Sequence, residues 1–300
     1  MKIKMIAEKI VKYIALCFLM SALPSRGEEM GLQVERDVEY ANVDGKILHM
    51  DLYQPRDSVE QPPLVVWIHG GAWRSGSKKS VPVKHWLSHG VMIASVNYRL
   101  SGEAKFPAQI HDIKAAIRYL RARASRYGFD SEKIIAAGSS AGGHLAALVG
   151  VSNGVSALEG EVGNHLQASS DVNAAISFYG ASNLNSILSQ STQHGLRVRV
   201  PALQLLLGGQ PNQAKELATL ASPISHVDLS DPPLWLIHGN ADPQMPMEQS
   251  LELKDAYQKK GLQVHLDTIK GGRHGGPEFY SNERLSRLAD AIKQLNPQSR

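Results

Sequence analysis

A serine stands among glycines at the point where an apolar, strand-like run passes into an apolar, helix-like run. The segment Gly138–Gly143 reads GSSAGG; it follows the run 134–137 and precedes His144–Leu148. A chain that turns from strand to helix within two residues strains the residue at the turn and requires neighbours that lack side chains. The G-x-S-x-G spacing therefore predicts that the Ser140 hydroxyl stands exposed as a nucleophile.

A serine hydroxyl is a weak nucleophile at neutral pH and requires a base that a third group orients. Asp242 ends the segment 238–242 (HGNAD), which follows one predicted strand, and His274 lies in a glycine-rich loop after the next. Because the carboxyl ends of parallel strands meet at one edge of a sheet, we expect these side chains to converge. We predict Ser140 as the nucleophile, His274 as the general base and Asp242 as the group that orients the imidazole.

A second glycine-rich segment, His69–Trp73 (HGGAW), follows the first apolar run of the predicted sheet. Glycines there let backbone N–H groups point into a site without a side chain in the way. We predict that the N–H groups of Gly70, Gly71 and Ala141 bind the oxyanion of a tetrahedral intermediate. The residues at the two ends of the segment are expected to hold the loop in shape.

The hydrophobic pattern identifies the elements that must position these residues. Residues 33–53 alternate apolar and polar side chains across an Asp44-Gly45 turn, which predicts a β-hairpin. Short apolar runs typical of parallel strands buried on both faces follow at 64–68, 91–96, 134–137, 174–178 and 234–237. Helical stretches at about 248–260 and 282–295 flank a further strand at about 263–269. The pattern predicts an α/β fold with a mostly parallel, doubly wound sheet and antiparallel strands at its N-terminal edge.

Two stretches between these runs need separate interpretation. Pro107 is predicted to start a helix with a core-facing apolar stripe, which Gly128 closes. Residues 181–232 interrupt the alternation with Ser, Asn and Gln around an apolar patch at 203–207. We predict a small inserted lid or side wall over the strand ends, so that residues 28–300 form a single domain.

Together these segments resemble the α/β-hydrolase superfamily, and specifically its carboxylesterase branch with an HGG-x-W loop. That branch includes hormone-sensitive-lipase-like esterases and bacterial feruloyl and acetylxylan esterases. The resemblance covers about residues 35–295 and rests on His69–Trp73, 97–100 (NYRL), Gly138–Gly143, 238–242 and His274-Gly275. It implies the α/β-hydrolase fold, a triad of Ser140, Asp242 and His274, and ester hydrolysis without a cofactor.

Two positions depart from the pattern of this branch. Ala72 stands where lipase-like members commonly have a third glycine, which predicts a narrower acyl pocket. Arg273 precedes the catalytic histidine where small residues are usual, and an arginine beside an imidazolium disfavours its charged form.

Other polar residues of these segments are expected to be structural. His144 is predicted to pack in the core, His238 to end a strand, and Arg99 to pair with Asp112 on the next helix. The histidines near the site lack the carboxylates and the spacing of a metal centre, so no metal and no cofactor is expected.

The leading functional hypothesis is a serine carboxylesterase that acts on short-chain or aromatic esters, from acetyl to butyryl and feruloyl. An arylformamidase-like amide hydrolase is the alternative, because kynurenine formamidases resemble this chain in the HGG-x-W loop and in a helix histidine after the nucleophile. A peptidase of the prolyl-oligopeptidase kind shares G-x-S-x-G-G but restricts access with a propeller domain that has no counterpart here. A catalytically dead, hydrolase-like binding protein is disfavoured because every expected catalytic residue type is present.

The first 27 residues are interpreted as a secretory signal peptide. A basic segment precedes the apolar run 13–20, and small or helix-breaking residues follow it. The run is shorter than the roughly 20 residues that span a bilayer, so no stable membrane anchor is expected. Leu16 before Cys17 disfavours lipid attachment, and Cys17 is the only cysteine. These features predict a secreted or periplasmic protein without disulfides.

Net charge narrows the class of partner. The formal charge of +4 comes from 32 basic and 28 acidic residues, and five of the basic residues and one acid lie in the predicted signal. The remaining 27 of each sign leave no electrostatic footprint for nucleic acid or anionic lipid. The expected partner is a small-molecule or polysaccharide-linked ester substrate.

Overall fold

The computed structural model describes residues 26–29, 32–55 and 60–295. The predicted signal segment 1–27, including Cys17, lies outside the described residues except for Arg26 and Gly27, which begin the first strand.

Strands of one nine-stranded sheet form the centre of the described chain. They are β1 (Arg26–Glu29), β2 (Leu32–Val43), β3 (Lys46–Gln54), β4 (Leu64–Ile68), β5 (Met92–Val96), β6 (Ile134–Ser139), β7 (Ala174–Phe178), β8 (Leu234–Gly239) and β9 (Val264–Ile269). Their order across the sheet is β1-β2-β3-β5-β4-β6-β7-β8-β9. The pairs from β1 to β3, and β3 with β5, are antiparallel, and the remaining pairs are parallel. The predicted α/β-hydrolase fold, with its antiparallel N-terminal edge, is confirmed.

Helices connect these strands and cover both faces of the sheet. The α-helices are α1 (Ala108–Ala122), α2 (Ala124–Tyr127), α3 (Ala141–Gly150), α4 (Ser156–Glu159), α5 (Ile187–Gln190), α6 (Gln193–Leu207), α7 (Lys215–Leu220), α8 (Glu248–Lys259) and α9 (Asn282–Lys293). Short 3-10 helices occupy Lys84–His89, Pro223–Ser225 and Pro277–Tyr280.

The β2–β3 hairpin turns where the sequence predicts it. Val43 pairs with Lys46 across the turn. Asp44 and Gly45 have φ of 50° and 86°, the left-handed conformation that a two-residue hairpin turn with a right-handed strand twist requires.

The helix predicted from Pro107 to Gly128 is in fact two helices. α1 stops at Ala122 because Arg123 leaves the helical conformation, with φ of −116°. α2 then adds one further turn, and Gly128 ends it in the left-handed conformation with φ of 76°. Gly128 therefore ends the second helix, which the apolar pattern does not separate from the first.

The core lies on the two faces of the central strands. Along β4, Val66 and Ile68 pack on one face with Leu145 of α3, while Trp67 packs on the other with Phe279. All five residues of β4 are buried. Burial of both faces explains why the strand reads as a continuous apolar run rather than as an alternation.

The expected pair between Arg99 and Asp112 fixes the loop after β5 to α1. Arg99 Nη2 lies 2.7 Å from Asp112 Oδ1, and the Arg99 backbone N–H donates to Asp112 Oδ2 at 2.8 Å. Asp112 is fully buried, and a buried carboxylate without hydrogen-bond donors would destabilise the fold. Arg99 supplies these donors.

The insertion 181–232 carries helices α5, α6 and α7 and is bound to the body of the protein. Leu203 and Leu206 of α6 are fully buried. The carbonyl of Leu206 accepts from the Phe106 backbone N–H at 2.9 Å, and the Thr192 hydroxyl donates to the Pro243 carbonyl at 2.5 Å. Through these contacts the insertion packs as a side wall beside the carboxyl ends of β7 and β8.

Among the helices of the described residues, none combines the length and the apolar composition that crossing a bilayer takes.

Gly142→Ala is expected to destabilise the protein by about 2 kcal/mol or more, because overpacking a rigid contact forces the backbone apart. A Cβ at Gly142 would lie 2.0 Å from the carbonyl oxygen of Ile68. Urea unfolding followed by circular dichroism measures the loss. The matched control is Gly102→Ala, since a Cβ at Gly102 meets nothing within 4 Å. Equal stability of the two variants would contradict the close approach of α3 to β4.

Candidate active site

Ser140 lies at a sharp turn between β6 and α3. Its φ of 54° and ψ of −117° are strained for a residue with a side chain. The Ser140 backbone N–H donates to the Phe178 carbonyl at 2.8 Å, which ties the turn to the end of β7. A Cβ at Gly138 would lie 2.4 Å from the Gly142 carbonyl oxygen, so both positions require glycine.

The structure brings the three predicted side chains into one hydrogen-bonded line. The Ser140 hydroxyl donates to His274 Nε2 across 2.9 Å. His274 Nδ1–H donates to Asp242 Oδ2 across 2.7 Å. With Nδ1 protonated, Nε2 carries the lone pair that can accept a proton from a nucleophile.

Asp242 is a buried carboxylate with a full set of donors. Its Oδ1 accepts from the backbone N–H groups of Gln244 and Met245 at 2.8 and 2.9 Å. Burial raises the pKa of Asp242, but hydrogen bonds from His238, His274 and the Met245 backbone outweigh burial and hold that pKa well below its ordinary value. The acid therefore stays ionised across the range in which a histidine base operates.

His238 contacts Asp242 as well, which the sequence did not indicate. Its Nε2 lies 3.5 Å from Asp242 Oδ2 and 3.1 Å from the Met245 carbonyl, and its Nδ1 lies 2.7 Å from the Ser250 hydroxyl. The ring is fully buried. His238 is thus structural, as expected, and its position beside the acid adds a role in fixing the Asp242 loop to α8.

The pKa of His274 is lowered from its ordinary value. Burial is the largest cause, the Asp242 hydrogen bond and charge oppose it, and the positive charge of Arg199 adds to the lowering. The sequence predicts that the adjacent Arg273 disfavours the charged form of His274, but the Arg273 side chain is exposed. The structure instead identifies the cation as Arg199 of α6, which is distant along the chain but buried beside the site.

Arg199 is a buried guanidinium without a carboxylate partner among the described residues. Its Nη2 lies 3.4 Å from the Gln244 carbonyl, and its Nε and Nη1 have no hydrogen-bond partner in this part of the chain. Burial lowers the pKa of Arg199 to about 10, so the group remains charged at neutral pH. Its field therefore acts on the Asp242 loop and on His274 at short range.

The HGGAW loop lies directly against the serine turn. A Cβ at Gly70 would lie 2.9 Å from the Ser139 carbonyl oxygen and 3.3 Å from Ser140 Cβ. Gly71 has φ of 115°, which favours glycine. Within residues 60–295, the N–H groups of Gly70, Gly71 and Ala141 donate to no other group.

Ala72 and Trp73 also have positive φ, 52° and 59°. Ala72 therefore occupies a left-handed position that a glycine would adopt without strain. Ala72 lines the cavity in front of Ser140.

Both ends of the loop are anchored by aromatic contacts. The His69 ring stacks on Tyr98 with centroids 4.4 Å apart. Trp73 Nε1–H donates to His144 Nδ1 at 3.1 Å, and His144 Nε2–H donates to the Ala221 carbonyl at 2.6 Å. Burial lowers the pKa of His144 to about 4, so this histidine is neutral and structural.

A cavity of about 460 Å³ opens in front of Ser140. It is lined by backbone and by short or polar side chains: His69, Gly70, Gly71, Ala72, Arg74, Ser75, Gly76, Ser80, Ser139, Ser140, Tyr179, Gln244 and His274. Only Ala72 and the Tyr179 ring offer apolar side-chain surface of any size. The cavity can therefore hold a small or planar group but buries little alkyl chain.

Tyr179 is a site residue that sequence reasoning missed. Its ring meets His274 edge to face at 4.8 Å, and its hydroxyl lies 2.6 Å from that of Tyr280. It follows the last residue of β7, at the same sheet edge as Ser140. Its place directly after a predicted strand is the signal that could have identified it.

Within the described residues, no group of three or more His, Cys, Asp or Glu side chains is arranged to hold a metal ion. The arrangement of Ser140, His274 and Asp242 brings together the nucleophile, base and orienting acid that nucleophilic acyl transfer uses.

Comparisons with known proteins show that the chain is similar to proteins named as esterases. The BD-FAE family model matches residues 50–257. A probable carboxylic ester hydrolase of Mycobacterium tuberculosis, LipM, is 29% identical over 86% of this chain and 60% of its own length. The chain thus spans less than two thirds of that relative.

Solved structures of esterases are similar to this chain over nearly their full length. A truncated carbohydrate esterase from gut microbiota has a TM-score of 0.80 and 30% identity, covering 92% of this chain and 98% of that one. The Thermogutta terrifontis esterase Est2 with bound butyrate has a TM-score of 0.70 and 28% identity, covering 88% and 96%. The family match over residues 50–257 and these likenesses lead to one conclusion: the chain belongs to the BD-FAE family, in the carboxylesterase branch of the α/β-hydrolase superfamily.

Proposed function

We propose that this protein is an exported serine carboxylesterase that hydrolyses short-chain or aromatic esters. The observation that carries the proposal is the line from Ser140 through His274 to Asp242, with hydrogen bonds of 2.9 and 2.7 Å. The esterases that the chain resembles support the same reaction class.

In the acylation step, Ser140 Oγ attacks the ester carbonyl carbon while His274 Nε2 takes the hydroxyl proton. Asp242, held ionised by its donors, stabilises the imidazolium that forms. The carbonyl oxygen becomes an oxyanion, which the N–H groups of Gly70, Gly71 and Ala141 stabilise. Collapse of the tetrahedral intermediate breaks the bond to the alcohol, which leaves with the proton from His274.

In the deacylation step, water attacks the acyl group on Ser140. His274 takes one proton from the water and returns it to Ser140 Oγ as the acid leaves. The same oxyanion contacts serve both steps, because both intermediates place the negative charge on the same oxygen.

The lining of the cavity supports short or planar acyl groups. Its rim is polar, with Arg74, Ser75 and Ser80 exposed. Each methylene contributes about 0.8 kcal/mol only where it is buried, and few apolar walls exist here to bury it. An acetyl, butyryl or feruloyl group fits these walls better than a long alkyl chain.

An exported enzyme with an open rim can meet esters linked to polysaccharides. The exposed polar residues of the rim and the carbohydrate esterase of similar structure support this substrate class. The proposed setting, outside the cytoplasm, rests on the predicted signal at residues 1–27.

His144 suggested the arylformamidase alternative, and its position in the structure does not support that activity. His144 is fully buried, and both its ring nitrogens are engaged, with Trp73 and with the Ala221 carbonyl. It does not line the cavity, so it offers no contact for a formamide substrate.

Ser140→Ala is expected to abolish turnover of p-nitrophenyl acetate, with a loss of about 10⁵-fold or more in kcat, because the nucleophile is removed while the fold remains. Stopped assays on purified protein and labelling with a fluorophosphonate probe measure this. Ser88→Ala, at an exposed serine of the 3-10 helix Lys84–His89, is the control and should retain full activity and labelling. Retention of a tenth of the wild-type kcat by Ser140→Ala would contradict the proposal.

The pH dependence of kcat/KM should report the lowered pKa of His274. Activity rises as the imidazole loses its proton, so a lowered pKa places the acidic limb below the ordinary 6.5. Arg199→Met removes a positive charge that disfavours the imidazolium, and it should move this limb to higher pH. Arg197→Met, at an exposed position of the same helix, should leave the limb in place. Identical profiles for all three proteins would refute the assignment to Arg199.

Acyl-chain preference tests the shape of the cavity. On p-nitrophenyl esters, kcat/KM should be greatest between acetyl and butyryl and should fall steeply by octanoyl, because the walls bury few methylenes. Feruloyl esters should be accepted. A maximum at decanoyl or longer would mean that the insertion 181–232 encloses a deep acyl tunnel, and the short-chain assignment would be wrong.

A further inference from the structure

A pair of histidines lies on the opposite side of the sheet from α3 and does not line the cavity in front of Ser140. His85 and His89 belong to the 3-10 helix Lys84–His89 and are half-buried. Between them, Trp86 is fully buried and donates its indole N–H to the Leu285 carbonyl at 2.9 Å. This contact holds the 3-10 helix against α9 and brings Ser286 opposite the two imidazoles.

Three polar atoms meet there in a nearly equilateral triangle. His85 Nε2 and His89 Nε2 lie 3.2 Å apart. The Ser286 hydroxyl oxygen lies 3.1 Å from the first and 3.0 Å from the second. The two imidazole planes are inclined by 62°, so the rings face a common region rather than stack.

Hydrogen bonds alone do not satisfy all three sides of this triangle. A neutral imidazole nitrogen either carries a proton and donates, or carries a lone pair and accepts. The Ser286 hydroxyl can donate to His85 Nε2 while His89 Nε2–H donates to the Ser286 oxygen. Because His85 Nε2 has one lone pair, this arrangement leaves the 3.2 Å approach of the two imidazole nitrogens without a hydrogen bond of its own.

A metal ion satisfies all three atoms at once. Zinc binds imidazole nitrogen at about 2.0–2.1 Å, and two such bonds to nitrogens 3.2 Å apart enclose an angle of about 103°. That angle lies close to the tetrahedral value. We propose that His85 and His89 chelate a divalent late first-row metal ion such as Zn²⁺, with Ser286 as a third, weaker contact and water completing the shell.

The chemistry of the donors selects the class of metal. Neutral imidazole prefers zinc, copper and nickel over calcium and magnesium, which take oxygen ligands. The site is distinct from the histidines near Ser140, for which the sequence predicts no metal.

The site would link two parts of the chain that are distant in sequence. The 3-10 helix lies between β4 and β5, and Ser286 lies on α9, the last helix. The described residues contain no cysteine, so no disulfide can provide such a link there. A metal that binds only the folded state adds its binding free energy to stability.

The test uses the full chain without a histidine tag, stripped of metal with a chelator. Titration with Zn²⁺ by calorimetry should show one site, and saturating Zn²⁺ should raise the Tm by about 5 °C at a hundredfold excess over Kd. With Cu²⁺, electron paramagnetic resonance should show hyperfine coupling to two imidazole nitrogens.

Variants identify the ligands. His85→Asn and His89→Asn should each weaken Zn²⁺ binding about 100-fold or more and remove the Tm rise, while Ser286→Ala should weaken binding by a smaller factor. His194→Asn, at an exposed histidine of α6, is the matched control and should bind as the wild type does. Circular dichroism of the metal-free proteins establishes that each variant folds.

Two results would overturn the proposal. One is a wild-type protein that binds no Zn²⁺ at sub-millimolar concentration. The other is a folded double variant, His85→Asn with His89→Asn, that binds Zn²⁺ and gains Tm as the wild type does, since the ligands would then lie elsewhere.

Discussion

Backbone contact between the start of α3 and the end of β4 decides where every group of the candidate active site lies. A Cβ at Gly142 would lie 2.0 Å from the Ile68 carbonyl oxygen, and one at Gly138 would lie 2.4 Å from the Gly142 carbonyl oxygen. The helix therefore begins in direct contact with the strand, and the chain between them has room only for the strained turn that carries Ser140. The same closeness brings the loop after β4 against the serine, so that segments about 70 residues apart in sequence form one wall of the cavity.

The carboxylate of Asp242 is the second constraint, because a buried charge is stable only with a full set of partners. Two backbone N–H groups and His274 supply hydrogen bonds, and His238 lies beside the same oxygen. Removing one partner of a buried charged pair commonly costs about 3–5 kcal/mol, since the other is left without compensation. The hydrogen bonds of Asp242 thus tie the loop after β8 to His274, which lies 2.9 Å from the Ser140 hydroxyl.

The insertion 181–232 modifies this centre without contributing any of its three principal residues. Its helix α6 places the buried charge of Arg199 near His274, and its Ala221 carbonyl accepts from His144 behind the HGGAW loop. The insertion thus places a positive charge near His274 and supplies a hydrogen-bond acceptor behind the HGGAW loop. Its packing against the body through Leu203 and Leu206 gives these effects a fixed geometry.

The local sequence pattern was sufficient to predict the strands and helices and to single out the polar residues at the ends of the strands. Continuous apolar runs identify β4 and β7 with the bounds that the structure shows, because strands buried on both faces carry no other signal. The glycines around Ser140 predict a turn that has no room for neighbouring side chains. Because Ser140, Asp242 and His274 each follow a strand of the sheet, their order along the chain predicts that they meet at one edge of it. The break at Arg123 escaped the pattern, since α1 and α2 share one apolar stripe.

Contacts between residues distant in sequence decided the surroundings of the candidate catalytic side chains. Arg199 stands between two valines of α6, and nothing in its local sequence predicts its burial. Packing buries it beside His274, while Arg273, the residue before His274, stays exposed. His238 likewise reaches Asp242 because the loop after β8 folds back over the strand end. Side-chain burial and distance depend on which elements pack together. For that reason the sequence determined the fold class and predicted the serine, histidine and aspartate of the candidate site, whereas the tertiary structure decided their electrostatic environment.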